Sequence, residues 1–290
     1  MRHADRRGPT RRAVVAGLGL LTAASGSARA QAVAGVSDWS VIDHARMRLI
    51  DAGIAPRDPA ARLVGLQIDL DPGYLTYWRS PGEAGVPPTA RFAGSKGLQT
   101  ATLLFPAPGR YSEDGTEAIG YKDGVVFPIL VRSAEAGTPV ELKLALDFAI
   151  CERLCLPARA KATLALGGDG AGPEAELVRD ALARVPAPAR LGGAGALAIT
   201  AVDGLAGDAT LAVRVRTTGT DEPTMFAEAP DPWFVQAGEG LWSSDGSLRY
   251  TLKVAAKPPE RAALPLRLTL VGADAAIEVP VTLDPPPETP

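Results

Sequence analysis

Along residues 140–148, Leu142, Leu144, Leu146 and Phe148 alternate with Glu141, Lys143, Ala145 and Asp147. A period of two places one row of side chains in a core and the other in water, which predicts a β-strand. Residues 62–70 repeat the pattern, with Leu66, Ile68 and Leu70 set against Gln67 and Asp69. Weaker alternation predicts strands at 45–51, 98–105, 121–131 and 162–166. Residues 74–88 bring Tyr74, Tyr77 and Trp78 into a Pro/Gly loop too irregular for a regular strand, and Trp78 alone suits a core position. Residues 110–120 are polar and predict a loop. The one helical stripe, Val178, Ala181, Leu182 and Val185, falls in 173–185, with Pro173 in the first turn and Glu174 and Glu176 near its positive end. Beyond Gly192-Gly193, strands are expected at 198–202, 210–216, 233–236, 248–254, 264–271 and 276–283.

Many short alternating runs, few aromatics (5%), 31 Gly and 26 Pro argue for an all-β protein built as two β-sandwiches joined by a linker with a short helix. The expected division is an export signal at 1–30, a first sandwich at 31–168, a linker at 169–194, a second sandwich at 195–284, and a Pro-rich tail at 285–290. Arg6, Arg7, Arg11 and Arg12 precede the uncharged run 13–24, and Ala28-Arg29-Ala30 offers a small-x-small cleavage site. The segment Thr10-Arg11-Arg12-Ala13-Val14-Val15 resembles a twin-arginine signal, and Sec export is also open. The run is too short for a membrane anchor, which needs about 20 apolar residues. The expected product is soluble and periplasmic, without a membrane span. Loss of 1–30 takes Lys+Arg from 30 to 24 and Asp+Glu from 33 to 32, moving the formal net charge from −3 to −8. An acidic surface argues against nucleic acid and anionic membranes as partners.

The chemistry lies in the only two cysteines, Cys151 and Cys155, where the strand of residues 140–148 runs out. An extended chain would hold their Cα atoms roughly 13 Å apart, whereas a disulfide needs them within about 7 Å. If the pair bonds, the chain must bend back at Glu152-Arg153-Leu154, and Pro157 would help to keep the strand from resuming. So short a loop gives a staple only about 2 kcal/mol of entropic stabilisation. A bond that opens and closes within one small site suits the spacing better. Glu152 and Arg153 adjoin the pair and pull a thiol pKa in opposite directions. Tyr74 and Tyr77, three apart, would face opposite sides of a regular strand, so at least one could reach a neighbouring site.

The segment Leu146-Asp147-Phe148-Ala149-Ile150-Cys151…Cys155-Leu156-Pro157-Ala158 resembles the dithiol segment of the amino-terminal periplasmic domain of DsbD-type disulfide reductases, nearest to the ScsB-like branch associated with copper-sensitivity suppression. Residues 76–88, Phe105-Pro106-Ala107-Pro108, Gly120-Tyr121 and Val126-Phe127-Pro128 support it, over about 38–166. Residues 195–284, with Met225-Phe226-Ala227-Glu228, look more weakly like that branch's second domain. The resemblance implies immunoglobulin-like sandwiches and a shuttle of reducing equivalents with no cofactor. A membrane thiol reductant would reduce the disulfide, and the dithiol would then reduce thioredoxin-like periplasmic proteins. By the resemblance, Cys151 and Cys155 are the redox pair, Tyr74 and Tyr77 stand near it, and the loop from Glu113 through Asp114 to Glu117 caps it. The family's cap carries an aromatic residue over the disulfide, whereas Ser112–Glu117 has none, so a more open pair is expected. The sequence shows neither the membrane domain nor the thioredoxin-like tail usually fused to this family, so the membrane reductant is expected to be a separate protein.

Two other readings are a copper-binding module and an inert scaffold. The soft or imidazole ligands left after the signal are Cys151, Cys155, His44, Met47 and Met225, and a lone His44 is more often an ordinary histidine; no metal site is assigned. The second sandwich, with no Cys or His, is expected to be dispensable for the chemistry.

Overall fold

A computed structural model describes residues 35–82, 85–113, 116–168, 170–218, 222–244, 246–255 and 262–286. The expected export signal therefore lies outside the described residues, as does Asp114. In chain order the first half holds β1 (Ser40–Ile42), β2 (Ala45–Ala55), β3 (Asp58–Leu70), β4 (Leu75–Gly82), β5 (Thr89–Arg91), β6 (Leu98–Leu103), β7 (Gly109–Glu113), β8 (Thr116–Lys122), β9 (Gly124–Ser133), β10 (Val140–Cys151) and β11 (Cys155–Leu166). Helix α1 (Ala175–Ala183) follows. The second half holds β12 (Ala187–Pro188), β13 (Ala198–Asp203), β14 (Thr210–Arg216), β15 (Thr224–Glu228), β16 (Phe234–Trp242), β17 (Leu248–Ala255), β18 (Leu264–Val271) and β19 (Ala276–Leu283). The protein is almost entirely β, with one α-helix among the described residues.

Two sheets build the first half. One runs β1-β2-β3-β9-β6 and the other β11-β10-β4-β8-β7, with β5 also paired to β10. Leu49, Leu66 and Phe127 from the first meet Leu142, Leu144, Leu146 and Phe148 from the second in one core, with Trp78 wholly buried among them. The alternation along β10 is thus the alternation of core and surface. Its outward row is charged. Glu141 bonds Lys143 and faces Lys96, and Asp147 pairs with Arg91 and Arg159. These cations hold both carboxyls below the usual range, Lys143 acting most on Glu141 and Arg91 most on Asp147.

The second half has sheets β12-β19-β18-β15 and β13-β14-β17-β16, which share a second core. The helix is not a loose tether. Val178 is wholly buried against β2 and β3 residues such as Ile50 and Leu63. The carbonyl of Arg184 accepts a bond from Ala107 N–H at 2.8 Å, and β12 runs parallel to β19. Phe226, on β15, joins the core of the first half, its ring 5.5 Å from that of Trp78.

Three expectations need correction. Residues 75–82 form β4, whose ladder is irregular between Tyr77 and Gly82. Residues 110–113 and 116–120 are no open loop but lie in the paired strands β7 and β8, where Arg110, Glu117 and Ile119 find partners that the sequence does not disclose. Pro157 does not stop a strand: β11 begins at Cys155 and runs through it. Proline is tolerated there because β11 is an edge strand.

Because Phe226 carries β15 of the second half into the core of the first, Phe226→Ala should cost about 3–5 kcal/mol, read as a lower denaturant midpoint in one transition. Two separate transitions in the unaltered protein would show instead that the halves melt independently.

Candidate functional site

The dithiol ends the β10–β11 ladder. Twelve consecutive pairs run from Val140↔Leu166 to Cys151↔Cys155, and Glu152-Arg153-Leu154 make the turn. Cys151 and Cys155 are disulfide-bonded with Cα atoms 4.4 Å apart, within the range such bonds require. Residues 148–151 are all buried, so the alternation of the strand breaks off here. Phe148 and Ile150 point into the main core, while Ala149 and Cys151 join a small apolar cluster with Leu75, Tyr77 and Ala118. Register explains the grouping, since residues paired across strands share a face. Cys151 pairs with Leu75, Tyr77 with Gly120, and Tyr111 with Ala118.

The two sulfurs differ in exposure. Cys151 is 5% exposed, whereas Cys155 is open to solvent beside Leu154, which is 72% exposed. Tyr77 is buried, and its hydroxyl stands 3.0 Å from Cys151 Sγ and 2.9 Å from Cys155 Sγ. Two glycines make this placement possible. A Cβ on Gly120 would lie 2.0 Å from the Thr76 carbonyl oxygen, so only glycine lets β8 lie this close to β4 opposite Tyr77. A Cβ on Gly85 would come within 2.6 Å of the Tyr77 ring, so only glycine lets the chain lie against that ring here.

Of the other sequence candidates, Tyr74 is turned elsewhere: it stacks on His44 with ring centroids 4.4 Å apart. Glu152 and Arg153 are exposed at the turn. Glu117 does not reach the sulfurs. It pairs with Arg110 at 2.5 Å, on the face of the hairpin away from the disulfide. Tyr111 is the residue the sequence reading missed. It precedes the supposed cap and packs, half-buried, against the cluster that holds Cys151. Strand alternation from Arg110 was the available signal, and it is legible only once residues 109–113 are known to be a strand.

For the copper reading, Met47 and Met225 are buried in different cores, and His44 is bound to Asp71 at 3.0 Å. Among the described residues no group of three His, Cys, Asp or Glu stands close enough together to hold a metal ion.

A phenol hydroxyl against both sulfurs can donate to whichever becomes a thiolate. Hydrogen bonds to charged acceptors contribute about 1.5–3 kcal/mol. Tyr77→Phe should therefore keep the fold but slow reduction of the disulfide by dithiothreitol roughly tenfold. An unchanged rate in the folded variant would mean that the hydroxyl does not serve the leaving sulfur.

Residues 51–166 match the family model described as thiol:disulfide interchange protein DsbD, N-terminal. No curated protein matches the chain. Among solved structures, the N-terminal periplasmic domain of ScsB from Proteus mirabilis superposes with a TM-score of 0.63 at 22% identity, covering 87% of this chain and 100% of that one. A conserved domain protein from Bacillus anthracis matches at 7% identity over 85% of this chain and 89% of its own, with a TM-score of only 0.22, and adds nothing to the argument. The ScsB likeness supports the fold, and the family model spans the strands that carry Tyr77, Cys151 and Cys155. Over residues 51–166 the chain is similar to the amino-terminal domain of DsbD-type thiol:disulfide interchange proteins, and the match includes both cysteines.

Proposed function

We propose that the chain is a periplasmic thiol–disulfide exchange protein that relays reducing equivalents from a membrane thiol reductant to thioredoxin-like proteins through Cys151 and Cys155. The sandwiches that frame the pair are read as immunoglobulin-like. The observation that carries this reading is the asymmetry of the pair, one sulfur exposed and one buried, with a phenol hydroxyl on both. An inert staple needs no such arrangement, and its loop of five residues gives at most about 2 kcal/mol.

The steps follow from access. A thiolate of the reductant attacks Cys155 Sγ, forming a mixed disulfide and expelling Cys151 as a thiolate, which the Tyr77 hydroxyl stabilises. The reductant's second thiolate then attacks its own sulfur in that bond. Cys155 is freed as a thiolate, and the reductant leaves as a disulfide, two electrons poorer. In the forward direction the Cys155 thiolate attacks the disulfide of a thioredoxin-like protein. Cys151 resolves the mixed disulfide, and the partner departs as a dithiol. Exposed Leu154 gives the incoming protein an apolar contact beside the attacked sulfur.

Cys151→Ala should therefore trap a covalent complex with a thioredoxin-like protein through Cys155. Cys155→Ala should trap far less, and the double variant none. Non-reducing gels of a periplasmic extract read the result, and thermal melting of all three should show folded protein. Loss of folding in the double variant, with no adduct from either single one, would make the pair structural.

A further inference from the structure

The hairpin β7–β8 has two unlike faces. Its dithiol face carries Tyr111 and Ala118 into the cluster around Cys151 and Tyr77. Its other face carries Arg110 and Glu117, one residue before each of them in sequence. That alternation is what a strand imposes.

What holds the outer part of this hairpin is mostly not its own sheet. Strand β7 is an edge strand, paired only with β8. β8 is paired with β4 from Lys122 to Gly120, and then only once more, at Ala118↔Gly82. The second half supplies the rest. Arg110 donates through Nη2 to the Met225 carbonyl at 2.8 Å and through Nη1 to the Ala237 carbonyl at 3.2 Å. The same guanidinium binds Glu117 and lies 5.4 Å from the centre of the Phe226 ring. A planar fork with five donors meets two carbonyls and a carboxylate at once, which a lysine ammonium does not reproduce. Nearby, Arg79 on β4 ties the strand that carries Tyr77 to Glu228 and Glu278 of the second half.

We infer that Arg110 is a positioning residue through which the second half holds the wall of the dithiol site and so keeps the two cysteines chemically unequal. It touches neither sulfur. Released from Met225 and Ala237, the hairpin would lift Tyr111 and Ala118 from the cluster and open Cys151 to solvent. Cys155, already open, would change little. This inference reverses the expectation that the second half is dispensable for the chemistry. It draws its functional meaning from the exchange reading of the pair, but its test needs no exchange partner, so the two can fail separately.

The experiment is alkylation of the fully reduced full-length protein by iodoacetamide, with each cysteine followed by peptide mass spectrometry. In the unaltered protein Cys155 should react at least about tenfold faster than Cys151, since access limits the buried thiol. In Arg110→Ala the ratio should fall to within about threefold, through faster reaction at Cys151. Tyr111→Ala should act in the same direction, and the double variant should go little beyond either, because both would act through one wall. Arg110→Lys should recover only part of the difference. An unchanged ratio in folded Arg110→Ala, or fully additive effects in the double variant, overturns the inference. Should Arg110→Ala fail to fold, hydrogen exchange of the unaltered protein decides. Strong protection of Gly109–Glu113 is expected, and exchange near the free-peptide rate would show that nothing clamps the hairpin.

Discussion

Parity along one strand decides this molecule. In β10, Leu142, Leu144, Leu146, Phe148 and Ile150 are committed to the main core, and moving them would expose five large apolar side chains. At about 1.5–3 kcal/mol for each buried side chain, no other register competes. Ala149 and Cys151 must then take the opposite face. A one-residue slip would turn Cys151 into the core and away from Tyr77. The partner cysteine inherits its place from the same ladder, since Cys155 begins β11 opposite Cys151. The disulfide closes a geometry that hydrophobic burial has already set.

That parity also separates the two sulfurs. Cys151 sits within the ladder, between β11 and β4, under Tyr77 and Ala118, while Cys155 opens the edge strand. One sulfur therefore faces solvent and the other stays sheltered beside a hydroxyl donor. In the proposed exchange, attack and resolution fall to two unlike sulfurs, which a hairpin end at a sheet edge provides.

The contact between halves combines packing and charge in unequal shares. The Trp78–Phe226 contact is fully buried, so it draws on the hydrophobic effect in full. The ion pairs keep partial exposure, with Arg79 at 20%, Glu228 at 15% and Glu278 at 27%, so they stand nearer the ~0–1 kcal/mol of surface pairs than the figures for dry interiors. Burial pulls the Arg79 pKa down, but Glu228 and then Glu278 raise it further, and it ends above its usual value. These charges orient. They fix the direction in which β4 and the β7–β8 hairpin approach the second half, and the hairpin's other face is the wall of the dithiol site.

The sequence by itself determined the all-β class, the strands with strong alternation and the bend at Glu152-Arg153-Leu154 that any bond between the two cysteines would require. Each is local: alternation reports burial within one strand, and loop length limits where a disulfide can close. β18 and β19 match their expected bounds for that reason. Only the tertiary structure decided the rest. Tyr111 and Ala118 face the dithiol cluster while Arg110, paired with Glu117, reaches another half of the molecule, and a two-sided ribbon of that kind reads as a loop. Tyr77, within β4, reaches the sulfurs, whereas Tyr74, just ahead of that strand, stacks on His44, and the sequence alone does not say which of the two approaches the pair. Arg110 finds its partners in backbone carbonyls 115 and 127 residues away. Carbonyls carry no residue identity, so no pattern of side chains could have announced them.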